Sequence, residues 1–570
     1  MPISAQGRVL SPRVTPSIWS LSAPLGVTLS KSLADRLRQY LTPELPLGPY
    51  DAADITDLEV AARLFDPHNK SFNTLLRRDL SVLIGRRGSG KTALLNSYSY
   101  RLHLDKYFKP TVKSAASDYR SYDIVIPIET YKEFDQMQKL VVRDANVFRP
   151  VEAIVDDWAT VVMDYFFAML VDKELGAKRR TKSLERLQFY LHQDEDDYQR
   201  RAREIVWGVS LFERIKHAVW HSSDEALEQR LNREDALALA VAHLKAVDKR
   251  ALMIFDSMDQ YDIRTEAFNR TLAALIRFIS KFNARQDQIR IKLVLPSEIY
   301  PEISRASANP LKDLVNVDQL SWAPTELQQI AAHRYRLFLE LYDSDFAIEL
   351  NDLDLNKSNI VRSFWSRFFP ETHHNGYGAP EDPMIYVLRH TQLLPRQFLL
   401  ILQEIIIRSH RMTGGYRKFE TKAVTGAIDD AESTIAREIL SAFSHIYPIA
   451  EELCTPVFAN FPTVFSFEQL EDKWRKKGRP VAQALSPEFD TPQFAEMLVR
   501  MGIVGIGHDE TDRYYEGEFA YDSLHPTNIG EGHDLCLHPI FSKQFNAAGN
   551  ARKKAIIPKR VARRIQEDEN

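Results

Sequence analysis

Residues 83 to 92 read Leu-Ile-Gly-Arg-Arg-Gly-Ser-Gly-Lys-Thr, and Gly85, Gly90, Lys91 and Thr92 stand at the spacing G-x-x-x-x-G-K-[ST]. The chemistry available to these residue types is phosphate binding. Gly85, Gly88 and Gly90 let consecutive backbone N–H groups turn toward one point, and the N-terminus of a following helix adds partial positive charge there. Lys91 would neutralise phosphate charge, and the Thr92 hydroxyl suits a hard cation such as Mg²⁺. The expected nucleotide-binding stretch is therefore Gly85, Arg86, Arg87, Gly88, Ser89, Gly90, Lys91, Thr92 and Ala93, with ATP and Mg²⁺ as ligands.

Such a loop needs a strand before it and a helix after it. Ser81 to Ile84 is apolar and β-prone, and Ala93 to Tyr98 is helix-prone. Tyr122 to Ile128, Arg250 to Phe255, Ile289 to Leu295 and Val315 to Leu320 read as further strands. Helical patterns at 151–175 and 266–282 lie between them. Alternating strands and helices predict a three-layer α/β core with a parallel sheet. Asp256 ends the Ala251–Phe255 strand, so its carboxylate is expected to reach the Mg²⁺ of Thr92 from the strand adjacent to the loop. The polar, helical stretch at about 176–250 reads as an insertion in that core, and from Tyr335 onward the pattern becomes almost wholly helical.

In this order of elements the chain resembles bacterial P-loop ATPases of the AAA+ and STAND-like group, near the KAP and origin-recognition-like ATPases, from about Ala61 to Phe541. The resemblance implies several roles. In such relatives a Glu follows the Mg²⁺-associated Asp; here Ser257 stands there, and Asp259 is the nearest carboxylate that could orient the attacking water. Ser297 falls where a polar residue senses the terminal phosphate, and Arg396, just after Pro395, falls where a lid arginine does the same. The implied catalytic set is Lys91, Asp256, Asp259, Ser297 and Arg396, with Thr92 and Asp256 as metal ligands and hydrolysis slow or stimulated by a partner. Arg305, Arg334 and Arg336 are candidate arginine fingers.

The last part of the chain reads as a winged helix. Ser466 with Gln469 makes a capping box, Thr491-Pro492 starts a helix that stops at Gly502, and strands at 503–506 and 519–521 are expected to pair across a polar turn. The helix that would enter a DNA groove carries Glu496 and, as its basic residue, Arg500, which argues against base readout. Lys473, Arg475, Lys476, Lys477 and Arg479, and the seven Lys and Arg residues from Arg552 to Arg564, are candidate phosphate contacts. His525, His533, Cys536 and His538 are too unevenly spaced to make a convincing zinc set.

A net charge of −4 provides no global basic field, so any DNA contact must be local. Two cysteines cannot build a disulfide framework, and no run of about 18 apolar residues is present. These features predict a soluble cytoplasmic protein that does not enter a membrane. The full expectation is an N-terminal arm at 1–60, a P-loop ATPase core at 61–330, a helical lid at 331–445, a winged-helix domain at 446–548 and a basic tail at 549–570. The function predicted is an ATP-binding and ATP-hydrolysing switch in DNA-associated processes or antiphage defence, completed by a protein partner or by like subunits. The alternative is a nucleic-acid-binding protein that uses ATP for assembly. A transporter ATPase is disfavoured by the absence of an L-S-G-G-Q signature.

Overall fold

A computed structural model describes residues 31–64, 80–95, 123–128, 151–177, 179–193, 211, 230–256, 266–306, 317–486, 489–508, 513–522 and 528–563. Its centre is a five-stranded parallel sheet of β1 (Val82–Gly85), β2 (Ile124–Ile128), β3 (Ala251–Phe255), β4 (Ile289–Pro296) and β5 (Val317–Gln319). The spatial order is β2-β3-β4-β1-β5. Side chains alternate between two cores because a strand turns successive residues to opposite faces. Val82, Ile84, Ile126, Leu293 and Leu295 face one cluster, where the Val151–Gly176 and Glu266–Arg285 helices supply Trp158, Phe166 and Leu275. Leu83, Leu252, Ile254 and Val294 face the other, which continues into the helices after β5. Both faces are covered, as a parallel sheet requires.

This order corrects one expectation. The strand carrying Asp256 is not adjacent to the P-loop strand; β4 lies between them, paired with β1 through Gly85–Pro296 and with β3 through Phe255–Leu293.

The described part of the segment expected to be an arm is packed on the body. Helices Lys31–Leu37 and Leu58–Leu64 flank a short turn at Ala52–Asp54. Arg334, on helix Pro324–Tyr342, donates to the carbonyls of Leu64 (3.0 Å), Leu47 (3.0 Å) and Pro49 (3.1 Å) and so fastens the segment to the lid. Burial lowers the Arg334 pKa to about 10.

The expected insertion contains helices Lys182–His192 and Arg233–Ala246. The lid is built of helices, among them Pro383–Arg389, Pro395–Thr413 and Thr421–Ala442, with a small ribbon of β6 (His373–His374) and β7 (Pro380–Glu381) ahead of the first of these. Pro395 begins its helix at a position whose N–H would be unpaired anyway, and Gly414 ends it at φ 73°.

The C-terminal unit is a second sheet, ordered β12-β10-β9-β11-β8, of β8 (Val464–Ser466), β9 (Val504–His508), β10 (Tyr514–Glu518), β11 (Asp534–Leu537) and β12 (Ala555–Pro558). Its helix Thr491–Arg500 is capped by Asp490 with Gln493, and the Ser466–Gln469 capping box is present. Three differences from the sequence reading stand out. The partner of β9 is 514–518 and not 519–521, because Ala520–Asp522 forms a short helical turn. Residues Arg479–Leu485, to which the sequence reading assigned no element, form a helix. Part of the expected basic tail is β12, paired in parallel with β10, with Ile556, Ile557, Val561 and Ala562 buried. Among the described residues no helix is long and apolar enough to cross a membrane.

Candidate nucleotide site

The P-loop turns at Gly88 and Gly90, whose φ values of 82° and 86° lie in the left-handed region that L side chains avoid. Ser89 N–H donates to Arg86 O at 3.0 Å, and Trp322 Nε1 donates to Ser89 O at 2.7 Å, fixing the loop from below. Helix begins at Lys91, so the first free N–H groups of its N-terminus lie in the turn. Ala93 sits in that first turn, where Leu94 N–H closes onto Gly90 O at 2.9 Å. Lys91 Nζ donates to the loop's own carbonyls, Gly85 O at 2.9 Å and Arg86 O at 3.0 Å.

Thr92 Oγ1 donates to Asp256 Oδ2 at 3.1 Å, across 164 residues of sequence. A hydroxyl and a buried carboxylate thus meet at the carboxyl ends of β1 and β3 even with a strand between them. Two oxygen donors beside a phosphate cradle fit Mg²⁺, which takes a few protein oxygens and completes its shell with water and phosphate.

Ser297 follows β4, with its N–H donating to Gly85 O at 3.1 Å. Asp259 and Ser257 lie outside the described residues. Arg396 stands in the first turn of helix Pro395–Thr413 and touches the loop directly: its N–H donates to Gly88 O at 3.4 Å, and a Cβ on Gly88 would lie 3.3 Å from Arg396 Cβ. The Arg396 guanidinium pairs with Asp51 at 2.9 Å. The structure therefore gathers Lys91, Thr92, Asp256, Ser297 and Arg396 around one loop. A cavity of about 430 Å³ opens beside it, with Arg87, Gly88, Glu298, Arg396 and Arg437 in its walls.

Two residues escaped the sequence reading, and a third has side-chain partners that it did not foresee. Asp51 was placed in the N-terminal arm, and only its hydrogen bond to the lid reveals it. Glu298 is 5 % exposed and accepts from Arg87 N–H at 2.9 Å. Arg86 was read as part of the phosphate cradle, yet its side chain leaves it. Nη1 donates to Gln392 Oε1 at 2.7 Å, and Nη2 donates to Met501 O at 3.2 Å and Arg500 O at 3.3 Å. The guanidinium also lies 5.6 Å from the ring centroids of both Phe443 and Tyr521. A hydrophobic contact and a long polar residue facing it carry no local sequence signal.

Arg334 and Arg336 are committed within their own chain, Arg334 to three carbonyls and Arg336 to Leu353 O at 3.2 Å. The Arg305 side chain is outside the described residues. Among the described residues no group of three or more His, Cys, Asp or Glu could hold a metal ion. His538 instead accepts from Ile540 N–H through Nδ1 (3.3 Å) and faces Tyr521 OH through Nε2 (3.0 Å), with burial pushing its pKa down to about 3. His525 lies outside the described residues. Arg500 is turned inward as well, onto Glu302 by two bonds of 2.8 and 3.0 Å and onto Glu298 O at 2.9 Å.

Residues 46–131 match the model of the ORC-CDC6-like family. The P-loop region resembles that family. No curated protein matches the chain. Among solved structures the chain is similar to Cdc6p from Pyrobaculum aerophilum, at 12% identity and a TM-score of 0.26 over 93% of this chain and 100% of that one. It is also similar to Aeropyrum pernix ORC2 in its ADPNP–ADP complexes, at 12% identity and a TM-score of 0.32 over 86% of this chain and 89% of that one. The ADP form of the same ORC2 gives 13% identity, a TM-score of 0.27 and coverage of 82% and 87%.

Proposed function

We propose that this chain is an ATP-binding and ATP-hydrolysing switch of the AAA+ type acting in a DNA-associated process. The observation that carries the reading is the meeting of Thr92 and Asp256, 3.1 Å apart, beneath a P-loop on which the lid residue Arg396 rests. The nucleotide contacts are Gly85 through Ala93. Lys91 leaves the carbonyls of Gly85 and Arg86 to meet phosphate, and Thr92 and Asp256 would hold Mg²⁺, which would supply neutralisation of phosphate charge. Ser297 and Arg396 report the terminal phosphate, Arg396 exchanging its Asp51 partner for it. Asp259 belongs to this site by resemblance alone. Turnover is slow or raised by a partner, a protein or a second copy of the chain, and the protein works in the cytoplasm.

We assign the nucleotide core to 61–330, the lid to 331–445 and the winged helix to the residues after 446, with β12 included. The ORC-CDC6-like match and the winged-helix sheet support association with DNA, through phosphates rather than base edges. Arg500 is used inside the protein, whereas Arg475, Lys477 and Arg479 are exposed.

The test is ATP binding and phosphate release by the full chain with Mg²⁺, beside Lys91→Ala, each with and without duplex DNA. Slow release by the native chain, abolished by the substitution, is expected. Equal turnover in the two proteins would remove Lys91, and the reading with it.

A further inference from the structure

If the chain hydrolyses ATP, some group must accept the proton of the attacking water, and the position that resemblance points to holds Ser257. The sheet order brings a second carboxylate against the P-loop. Because β4 lies between β1 and β3, the chain leaving β4 runs directly against the start of the P-loop: Pro296 pairs with Gly85, and Ser297 N–H donates to Gly85 O at 3.1 Å. The next residue is Glu298.

Glu298 is 5 % exposed. Its Oε1 accepts from Arg87 N–H at 2.9 Å, and Oε2 lies 3.4 Å from Ser297 Oγ. Its own carbonyl is held by Arg500 at 2.9 Å, so the backbone that carries the carboxylate is fixed. Among the described residues no ion pair to this carboxylate is found within 4.0 Å, although Arg86, Arg87, Arg396 and Arg437 line the same cavity. Burying a carboxylate without a counter-ion is costly, and a neutral Gln or Ser would brace the Arg87 N–H without that cost. The charge therefore calls for a use. The cavity it faces, of about 430 Å³, is bounded by Arg87 and Gly88 on the loop and by Arg396 on the lid.

We propose that Glu298 is the general base of ATP hydrolysis in this chain, in the role left open by Ser257. The proposal rests on the ATPase reading above and names a residue within it. One water O–H proton passes to the Glu298 carboxylate as the water oxygen bonds to the γ-phosphorus. The bond between that phosphorus and the oxygen bridging to the β-phosphate breaks, and its electron pair leaves on ADP. Inorganic phosphate is the second product, and the proton returns from Glu298 to phosphate or solvent.

Glu298→Gln separates this role from bracing. The amide oxygen still accepts from Arg87 N–H and the shape is kept, while the basicity is lost. In the full chain, single-turnover phosphate release, with protein in excess over ATP and above its Kd and with Mg²⁺ present, is expected to fall about 100-fold or more, with the ATP Kd and the melting temperature unchanged. Native turnover in Glu298→Gln would overturn the proposal and leave the ATPase reading standing; so would a loss confined to Asp259→Asn. A joint fall in ATP affinity and melting temperature in Glu298→Gln would make Glu298 a brace for the loop and nothing more. A native chain that binds ATP yet releases no phosphate, alone or with DNA, overturns the proposal as well. If instead Lys91→Ala binds ATP as the native chain does, it is the nucleotide site itself that has been misplaced.

Discussion

Arg86 and Gln392 are joined by a hydrogen bond of 2.7 Å between a P-loop side chain and the stretch that enters the lid helix. Gln392 also donates to Met501 O at 3.0 Å, and Arg86 reaches the same carbonyl at 3.2 Å. These are C-terminal carbonyls of helix Thr491–Arg500, where a positive charge is favourable. One guanidinium therefore connects the loop, the lid and the winged helix. Lys91 donates to Arg86 O, so the cation expected to move when phosphate binds touches the backbone of the residue that makes this connection.

Removing the Arg86 side chain leaves Gln392 Oε1 without its donor in a buried setting. Arg86→Ala is expected to lower unfolding stability by about 2–4 kcal/mol, the range for breaking a buried, charge-assisted network. Limited proteolysis is expected to cut faster between 486 and 491, ahead of the freed helix. Arg86→Lys should not restore stability, because an ammonium on a flexible stem cannot serve an amide oxygen and two carbonyls in one plane. Chemical denaturation of the three proteins measures this directly, and a Lys variant as stable as the native chain would show that charge alone suffices.

Thr92 and Asp256 should act on the metal and not on the protein's folding. Thr92→Ala and Asp256→Asn are each expected to reduce or abolish the gain in ATP affinity that Mg²⁺ gives the native chain. Affinity in EDTA should change by less than threefold. Calorimetric titration with and without Mg²⁺ measures both values. A variant that keeps the full Mg²⁺ gain would take that residue out of the metal shell.

On the proposed reading, Asp51 would compete with phosphate for Arg396. Both side chains are partly exposed, at 27% for Arg396 and 49% for Asp51, so the pair itself is worth little, about 0–1 kcal/mol. Asp51→Asn should therefore raise ATP affinity by no more than about fivefold, through release of Arg396, and leave ADP affinity nearly unchanged. Competition between the two nucleotides on the variant measures the difference. A parallel gain for ADP would mean that Arg396 does not distinguish the γ-phosphate.

Glu432 gives the lid a pH dependence. His390 Nδ1 is 2.6 Å from Tyr386 O, so the ring donates there and leaves Nε2 as an acceptor. Nε2 lies 3.2 Å from Glu432 Oε1, and burial pushes the Glu432 pKa from 4.5 to about 8, against the attraction of Arg389. Burial also holds His390 well below its ordinary value, so the pair is a neutral imidazole accepting from a protonated carboxyl. The folded state keeps a proton that the unfolded chain releases across this window. Stability should thus decline as pH rises from about 4.5 to about 8, by at most about 1.4 kcal/mol per unit, and the loss is complete above that. Glu432→Gln should flatten thermal melts between pH 6.5 and 8, a window above the titration of the buried histidines. Equal slopes in the two proteins would place the ionised carboxylate in the folded state.

The P-loop was legible because its signal is local: eight residues with fixed glycine spacing and apolar β1 before them. Asp256 was legible as the end of an apolar strand, but not its distance from β1, since sequence order does not reveal that β4 inserts between them. The partners of Arg86 lie 306, 414 and 415 residues away, and no periodicity could have linked them. The winged helix was foreseen from its caps and turns, with its second strand misplaced because Phe519 and Tyr521 are as β-prone as the Tyr514–Glu518 segment that pairs. Glu298, two residues past the end of β4, went unread because it had no motif of its own.

β12 has a consequence for the chain's solubility. Ala555–Pro558 covers the outer edge of β10, and Lys559 pairs with Glu518 across that seam. A chain ending near residue 550 would bare a row of unpaired N–H and C=O groups beside Tyr515 and Phe519, the template on which other chains add strands. The basic terminus thus acts as a guard against self-association, and shortening it should yield aggregates before it reveals anything about nucleic acid.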